Sequence, residues 1–290
     1  MNQAKKKGLL VFSLAYAVTI AAAVVVGMLF ADWHPLWMVA FADLAGTVTI
    51  FAFSVAFNNS SFYDPYWSVK PMVIAVFYFM TLPGAFEIRG LLAGGLMLLY
   101  GVRLTTNFAR DWPGLQHEDW RYRNFRSDFP KLYWVISFLG FHLFTTILVY
   151  LTCIPALYAM GVPGIPIGPL EIVGAVIFLF SIYLSFVADE QMRNFRKDPA
   201  NKGKIMDLGW WKISRHPNYL GEVLGWWGLF FIALGLSTEL WWTGAGALAV
   251  TLLFVFISIP LMDKRSLERR TGFAEYMRKT PALFPFPRSK

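Results

Sequence analysis

Asp189, Arg193 and Arg196 fall at i, i+4 and i+7, which at helical periodicity puts one carboxylate and two guanidinium groups on a single face. Mixed polarity of this kind suits a fitted site for a phosphorylated ligand better than a plain basic surface. After a break carrying Lys204, the string RHPNYLGE brings together Arg215, His216, Asn218, Tyr219 and Glu222. Pro217 is tolerated at a helix start, so Asn218 and Glu222 share the first turns of the next helix. A second constellation lies upstream, where Tyr100, Arg103 and Asn107 form a polar stripe on an otherwise apolar helix. Snorkelling of Arg103 explains part of that stripe but not the Tyr100 phenol. A short loop over residues 58–70 adds Tyr63, Asp64, Tyr66 and Trp67, either an aromatic belt at the headgroups or the rim of a pocket. Asp64 favours the pocket.

The elements that must present these residues are membrane helices. With 57% hydrophobic, 18% aromatic and only 15% charged residues over 290 positions, the chain is too apolar for a soluble domain. Apolar runs cover residues 8–30, a second run ending at 57, then 71–86, 91–107, 132–160, 169–188, 223–236 and 241–262. This predicts an all-α integral membrane protein, a bundle of about eight transmembrane helices. A signal peptide is the weaker reading of the first run. The run 223–236 is short for a span and is expected to tilt or break. Asp43, inside the second run, is expected to face protein or, in the simpler reading, to lie near the interface, because a carboxylate at the bilayer centre costs about 2.5–3.5 kcal/mol.

Eight crossings from an inside N-terminus place every Lys and Arg except Arg89 on one side, so both termini are expected in the cytoplasm. The polar segment 110–131 reads as a membrane-surface loop or a lid, and the tail after 262 as an amphipathic helix ended by prolines. Anionic lipid headgroups account for many of the inside cations. The net charge of +8 has no nucleic-acid-binding module behind it, so no nucleic-acid partner is expected. One cysteine, Cys153 in an apolar run, excludes a disulfide framework, and the four histidines lack metal-ligand spacing. No metal is expected. A Gly-rich dinucleotide fingerprint after a strand is missing too, so any cofactor must be held by helices and loops.

The RHPNYLGE string, the Asp189/Arg193/Arg196 stripe and the WWG that follows resemble the C-terminal domain of steroid 5-alpha-reductases. The bacterial relatives catalogued as a domain of unknown function are more similar still. The same RHPxY core occurs in membrane methyltransferases similar to isoprenylcysteine carboxyl methyltransferase. The resemblance implies a seven-helix reductase core with an added N-terminal helix, in a bacterial inner membrane. It further implies one transmembrane domain over 1–290, with N-terminal helices 1–57, substrate-side helices and loop 58–131, and a cofactor-binding region 132–290.

By this resemblance Asp189, Arg196, Lys204, Asn218 and Glu222 contribute to an NADPH site, with Arg193, Arg215, His216 and Tyr219 beside them. Lys204 stands where the animal enzymes have arginine, and Lys264 stands roughly where their tail carries a histidine or tyrosine. Tyr100 with Arg103 matches the family's Y-x2-R, whose tyrosine holds a substrate ketone, and Asp64 falls where a glutamate partners that tyrosine. Tyr63 and Trp67 join Arg103 as substrate-side residues. The implied reaction is NADPH-dependent reduction of the carbon–carbon double bond of a steroid-like, sterol or isoprenoid enone. Methyl transfer from S-adenosylmethionine, or lipid binding without catalysis, are the alternatives.

Overall fold

The computed structural model describes residues 3–284, which form helices and turns with no strand among them. They fall into two compact units that divide after Gly164. The first unit opens with α1 (Gln3–Leu29), an uninterrupted apolar run that ends where Asp32, Trp33, His34 and Pro35 supply turn chemistry. Pro35 starts α2 (Pro35–Ala56), and the His34 Nδ1 caps it by accepting from the Leu36 amide at 3.3 Å. After a single 3-10 turn at Ser60–Tyr63 come α3 (Tyr66–Thr81), α4 (Ile88–Asp111), the surface helix α5 (Trp120–Asp128) and α6 (Tyr133–Gly161). Within α6 the residues Ser137–Leu143 form a π turn, a wide turn that frequently marks functional sites.

The second unit holds α7 (Pro169–Lys197), α8 (Pro217–Leu236), α9 (Thr238–Arg269) and the short α10 (Phe273–Lys279). A further π turn interrupts α9 at Phe254–Ser258. α7 and α8 approach through small residues: a methyl on Gly174 would meet the Gly228 carbonyl at 2.6 Å, and one on Gly228 would meet the Gly174 carbonyl at 2.7 Å. Such close backbone approach is how helices associate where lipid removes the hydrophobic drive.

Seven of these helices (α1, α2, α4, α6, α7, α8 and α9) are long and apolar enough to cross a membrane. The run 223–236 is the C-terminal part of α8, which starts back at Pro217 and with 20 residues is long enough to span. The short one is α3, with 16 residues, or about 24 Å at the usual rise per residue. The prolines Pro285 and Pro287 that end the tail lie outside the described residues.

Asp43 faces protein. It is 7% exposed and forms an ion pair with Lys70, itself 4% exposed, while the Tyr66 hydroxyl donates to Asp43 Oδ1 at 3.0 Å. Pairing with a cation from α3 is what lets a carboxylate sit inside the helix bundle. Lys70, which the sequence assigns to the cytoplasmic charge, is therefore spent inside the first unit, where its Nζ also donates to the Thr146 carbonyl at 2.5 Å.

Candidate active site

In the first unit the structure brings Tyr100 and Trp67 together. Tyr100 points inward from α4 and is 2% exposed, and the Trp67 indole N–H from the first turn of α3 donates to its hydroxyl at 2.9 Å. Arg103, one turn further along α4, holds its guanidinium 5.8 Å from the Tyr100 ring centre. An accepted hydrogen bond polarises the phenol, and a nearby cation favours negative charge developing at or beside its oxygen.

Asp64 does not pair with Tyr100. Its Oδ1 accepts from the Tyr122 hydroxyl of α5 at 2.7 Å. Burial raises the Asp64 pKa to about 6, against the lowering effects of Arg121 and of hydrogen bonds from Tyr122 and Ser61. Tyr63 likewise turns away from Tyr100, with its hydroxyl 2.8 Å from Thr146 Oγ1 and its ring 4.6 Å from that of His142.

Sequence reasoning missed a buried polar chain in the same unit. Glu118 accepts from the Ser60 amide at 2.8 Å, from Arg126 at 2.8 Å and from the Tyr133 hydroxyl at 3.2 Å. Ser60 Oγ lies 2.6 Å from the Tyr133 hydroxyl and 2.9 Å from Ser137 Oγ. The π turn carries the chain onward. His142 Nδ1 is 2.8 Å from the Ser137 carbonyl, which only accepts, so that nitrogen carries the proton; Nε2 lies 3.1 Å from Ser54 Oγ. The one available signal was the number of serines and tyrosines in segments otherwise rich in aliphatic residues.

In the second unit Arg215 and His216 have defined partners. Arg215 is 5% exposed: its Nη2 donates to Asp263 Oδ2 at 2.7 Å and its Nη1 to the Thr280 and Met277 carbonyls at 2.6 and 3.2 Å. His216 Nε2 is 2.9 Å from Asp263 Oδ1, and its ring stacks on Tyr219 at 5.3 Å. These two residues fasten the start of α8 to α9 and to the segment after α10. Asp263 was not singled out in the sequence.

On the neighbouring surface Arg193 pairs with Glu190, while Arg196, Lys204 and Lys264 are exposed. Glu222 is buried, and the Asn218 carbonyl accepts from Ser185 Oγ at 3.4 Å. Burial, and after it the charge of Arg196, holds Arg270 below the ordinary arginine range. The Arg196 charge thus acts on Arg270 as a like charge. Among the described residues neither guanidinium has a carboxylate partner, which is the electrostatic setting a phosphate would relieve.

The helices, the paired charges held inside them and these two polar sites define an all-α integral membrane protein. The chain belongs to the family described as "Protein of unknown function (DUF1295)", whose match covers residues 50–280. An uncharacterized protein of Schizosaccharomyces pombe is 27% identical over 258 residues, 80% of this chain and 74% of that protein. Steroid 5-alpha-reductase DET2 of Arabidopsis thaliana is 25% identical over 120 residues, 40% of this chain and 41% of that enzyme. Delta(14)-sterol reductase LBR of Gallus gallus is 31% identical over 101 residues, 29% of this chain and 16% of that protein. The chain is thus a distant homologue of steroid and sterol reductases, and it spans less than half the length of these two. No solved structure matches it.

Proposed function

We propose that this chain is an NADPH-dependent membrane reductase acting on the carbon–carbon double bond of a hydrophobic enone, with Tyr100 as the group that binds the ketone oxygen. The observation that carries this reading is the Trp67 N–H donated to the buried Tyr100 hydroxyl, with Arg103 over the same ring. As the double bond is reduced, negative charge gathers on the ketone oxygen, and the polarised phenol O–H donates to it. Arg103 adds positive potential, and the buried setting keeps water from weakening either effect.

When bound, NADPH supplies a hydride to the β-carbon of the enone. Arg196 and Arg270 fit the additional phosphate of that cofactor, and Arg193, Asp189, Lys204, Asn218, Glu222 and Lys264 are the further candidates for holding it. Arg215, His216 and Tyr219 support them through the Asp263 cluster. Asp64, with its pKa near neutrality, is a candidate proton source acting through Tyr122. Steroids, sterols and isoprenoids are the substrate classes that match the bilayer setting. The added N-terminal helix and inside-facing termini of a bacterial inner-membrane protein remain part of this reading.

The test is Tyr100→Phe, assayed by NADPH oxidation on a panel of 3-oxo-4-ene steroids and prenyl enones. Turnover is expected to fall roughly 10²- to 10³-fold with NADPH affinity retained. Near wild-type kcat on a working substrate would remove Tyr100 from the chemistry. Co-purifying S-adenosylhomocysteine in place of NADP(H), read by mass spectrometry, would replace reduction with methyl transfer.

A further inference from the structure

A cavity of about 250 Å³ lies within the first unit, walled by α1, α2 and α3 and lined by neither Tyr100 nor Asp64. Its walls are aliphatic, with Ala23 and Met28 on α1 and Met38 and Ala42 on α2. Met28 is 71% exposed, so the cavity opens onto the surface that α1 presents to lipid. The polar groups gather at the other end, deep in the helices: Tyr16, Thr19, Asp43, Tyr66 and Lys70.

All of these except Thr19 already have a partner. Tyr16 donates to the Phe62 carbonyl at 2.9 Å, Tyr66 donates to Asp43, and Asp43 pairs with Lys70. Thr19 is 2% exposed, and its Oγ1 makes no hydrogen bond among the described residues. Helical threonines usually bond back to the carbonyl one turn earlier, as Thr47 does to Asp43 at 2.8 Å and Thr49 to Ala45 at 2.8 Å. A buried hydroxyl left unbonded at the end of an apolar cavity marks the place where a ligand's polar atom belongs.

The charge state of the site selects the ligand's head. Asp43 and Lys70 together carry no net charge wherever their shared proton lies, so a carboxylate or ammonium entering here would be a buried charge without a counter-ion. A hydroxyl head, which can either donate to or accept from the Thr19 hydroxyl, satisfies the site. We infer that this cavity is a binding site for a lipid alcohol, with its hydroxyl on Thr19 and its aliphatic body running out past Ala23 and Met28 to the bilayer. The site is separate from the Tyr100 constellation and does not depend on the reductase reading.

The test uses the full chain in detergent and 1-dodecanol carrying an alkyl diazirine, photolysed and mapped by peptide mass spectrometry. Saturable labelling is expected on the peptides holding Ala23 to Met28 and Met38 to Ala42. Unlabelled 1-dodecanol should compete, whereas dodecane and dodecanoate should not. Ala23→Leu, which fills the cavity, and Thr19→Val, which removes only the hydroxyl, should each weaken the alcohol about tenfold, a loss of about 1.4 kcal/mol. Because Thr19 makes no bond in the fold, the valine variant is expected to fold normally. Unsaturable labelling spread over the exposed helix faces would overturn the site. Equal competition by dodecane, stronger competition by dodecanoate, or full affinity in Thr19→Val would overturn the hydroxyl assignment.

Discussion

Asp263 joins the RHPNYLGE string to the C-terminal part of the chain, and its removal has a size that can be worked out. In Asp263→Ala, Arg215 loses a 2.7 Å charge-assisted bond and the 3.5 Å contact from its Nε, and His216 loses its 2.9 Å partner. Arg215 would then be a buried cation, 4% exposed at its side chain, facing only the Thr280 and Met277 carbonyls. Breaking a buried pair by deleting one partner costs about 3–5 kcal/mol. Asp263→Asn keeps the volume and one acceptor oxygen, so about half that loss is expected, near the 1.5–3 kcal/mol of a single bond to a charged group. Two measurements check this: unfolding in mixed detergent micelles, and hydrogen exchange of the peptide around Thr280. The Arg215 amide donates to the Pro281 carbonyl at 2.9 Å and Ser214 Oγ to the Ala282 carbonyl at 3.2 Å, so loosening Arg215 should speed exchange there. An alanine variant that loses less than about 1 kcal/mol with unchanged exchange at this peptide would refute the reasoning, since a buried guanidinium cannot lose its carboxylate so cheaply.

Three other outcomes follow from particular contacts. Asp64 is held above its unfolded pKa, so the stability its protonated form provides is full below about pH 4 and is lost as pH rises from there through about 6; Asp64→Asn should raise the melting temperature at pH 8 and change it little at or below about pH 4. An equal shift at both pH values in detergent-solubilised protein would contradict this. Gly228→Val sets a side chain against the Gly174 carbonyl and should lower the melting temperature by several degrees or abolish expression, whereas the same change at Gly95, which has open space around it, should be mild. Arg196→Ala and Arg270→Ala should each weaken NADPH more than NADH in fluorescence titrations, and equal losses for the two dinucleotides would move both residues off the extra phosphate.

The helices were legible because apolar runs of the right length announce themselves one segment at a time. The start of α8 was legible from Pro217, yet its length as a span was not, because the polar RHPNYLGE string disguises its first turns. What local sequence cannot carry is who meets whom. Asp64 looks poised for Tyr100 by order along the chain, but its partner Tyr122 lies 58 positions away on a surface helix. Arg215 and His216 read as members of a cofactor site, and only the fold reveals the carboxylate 48 and 47 positions later that pairs with them. Asp43 and Lys70 read as two separate interfacial charges for the same reason. The Tyr100 stripe was the reverse case, since its stripe-mate Arg103 lies one turn away on the same helix, and only Trp67 had to come from elsewhere.

The shortness of α3 reaches beyond the protein. As a span, a helix of about 24 Å in a unit whose α1 runs for 27 residues would fall short of an acyl region about 30 Å thick. Lipid next to such a span would compress, or the helices beside it would lean, at a cost of fractions of a kcal/mol for each ångström of mismatch. Were α3 to span, thin bilayers would relax it and thick ones load it, and fatty-acid composition would bear on how easily the α3 side of the first unit deforms.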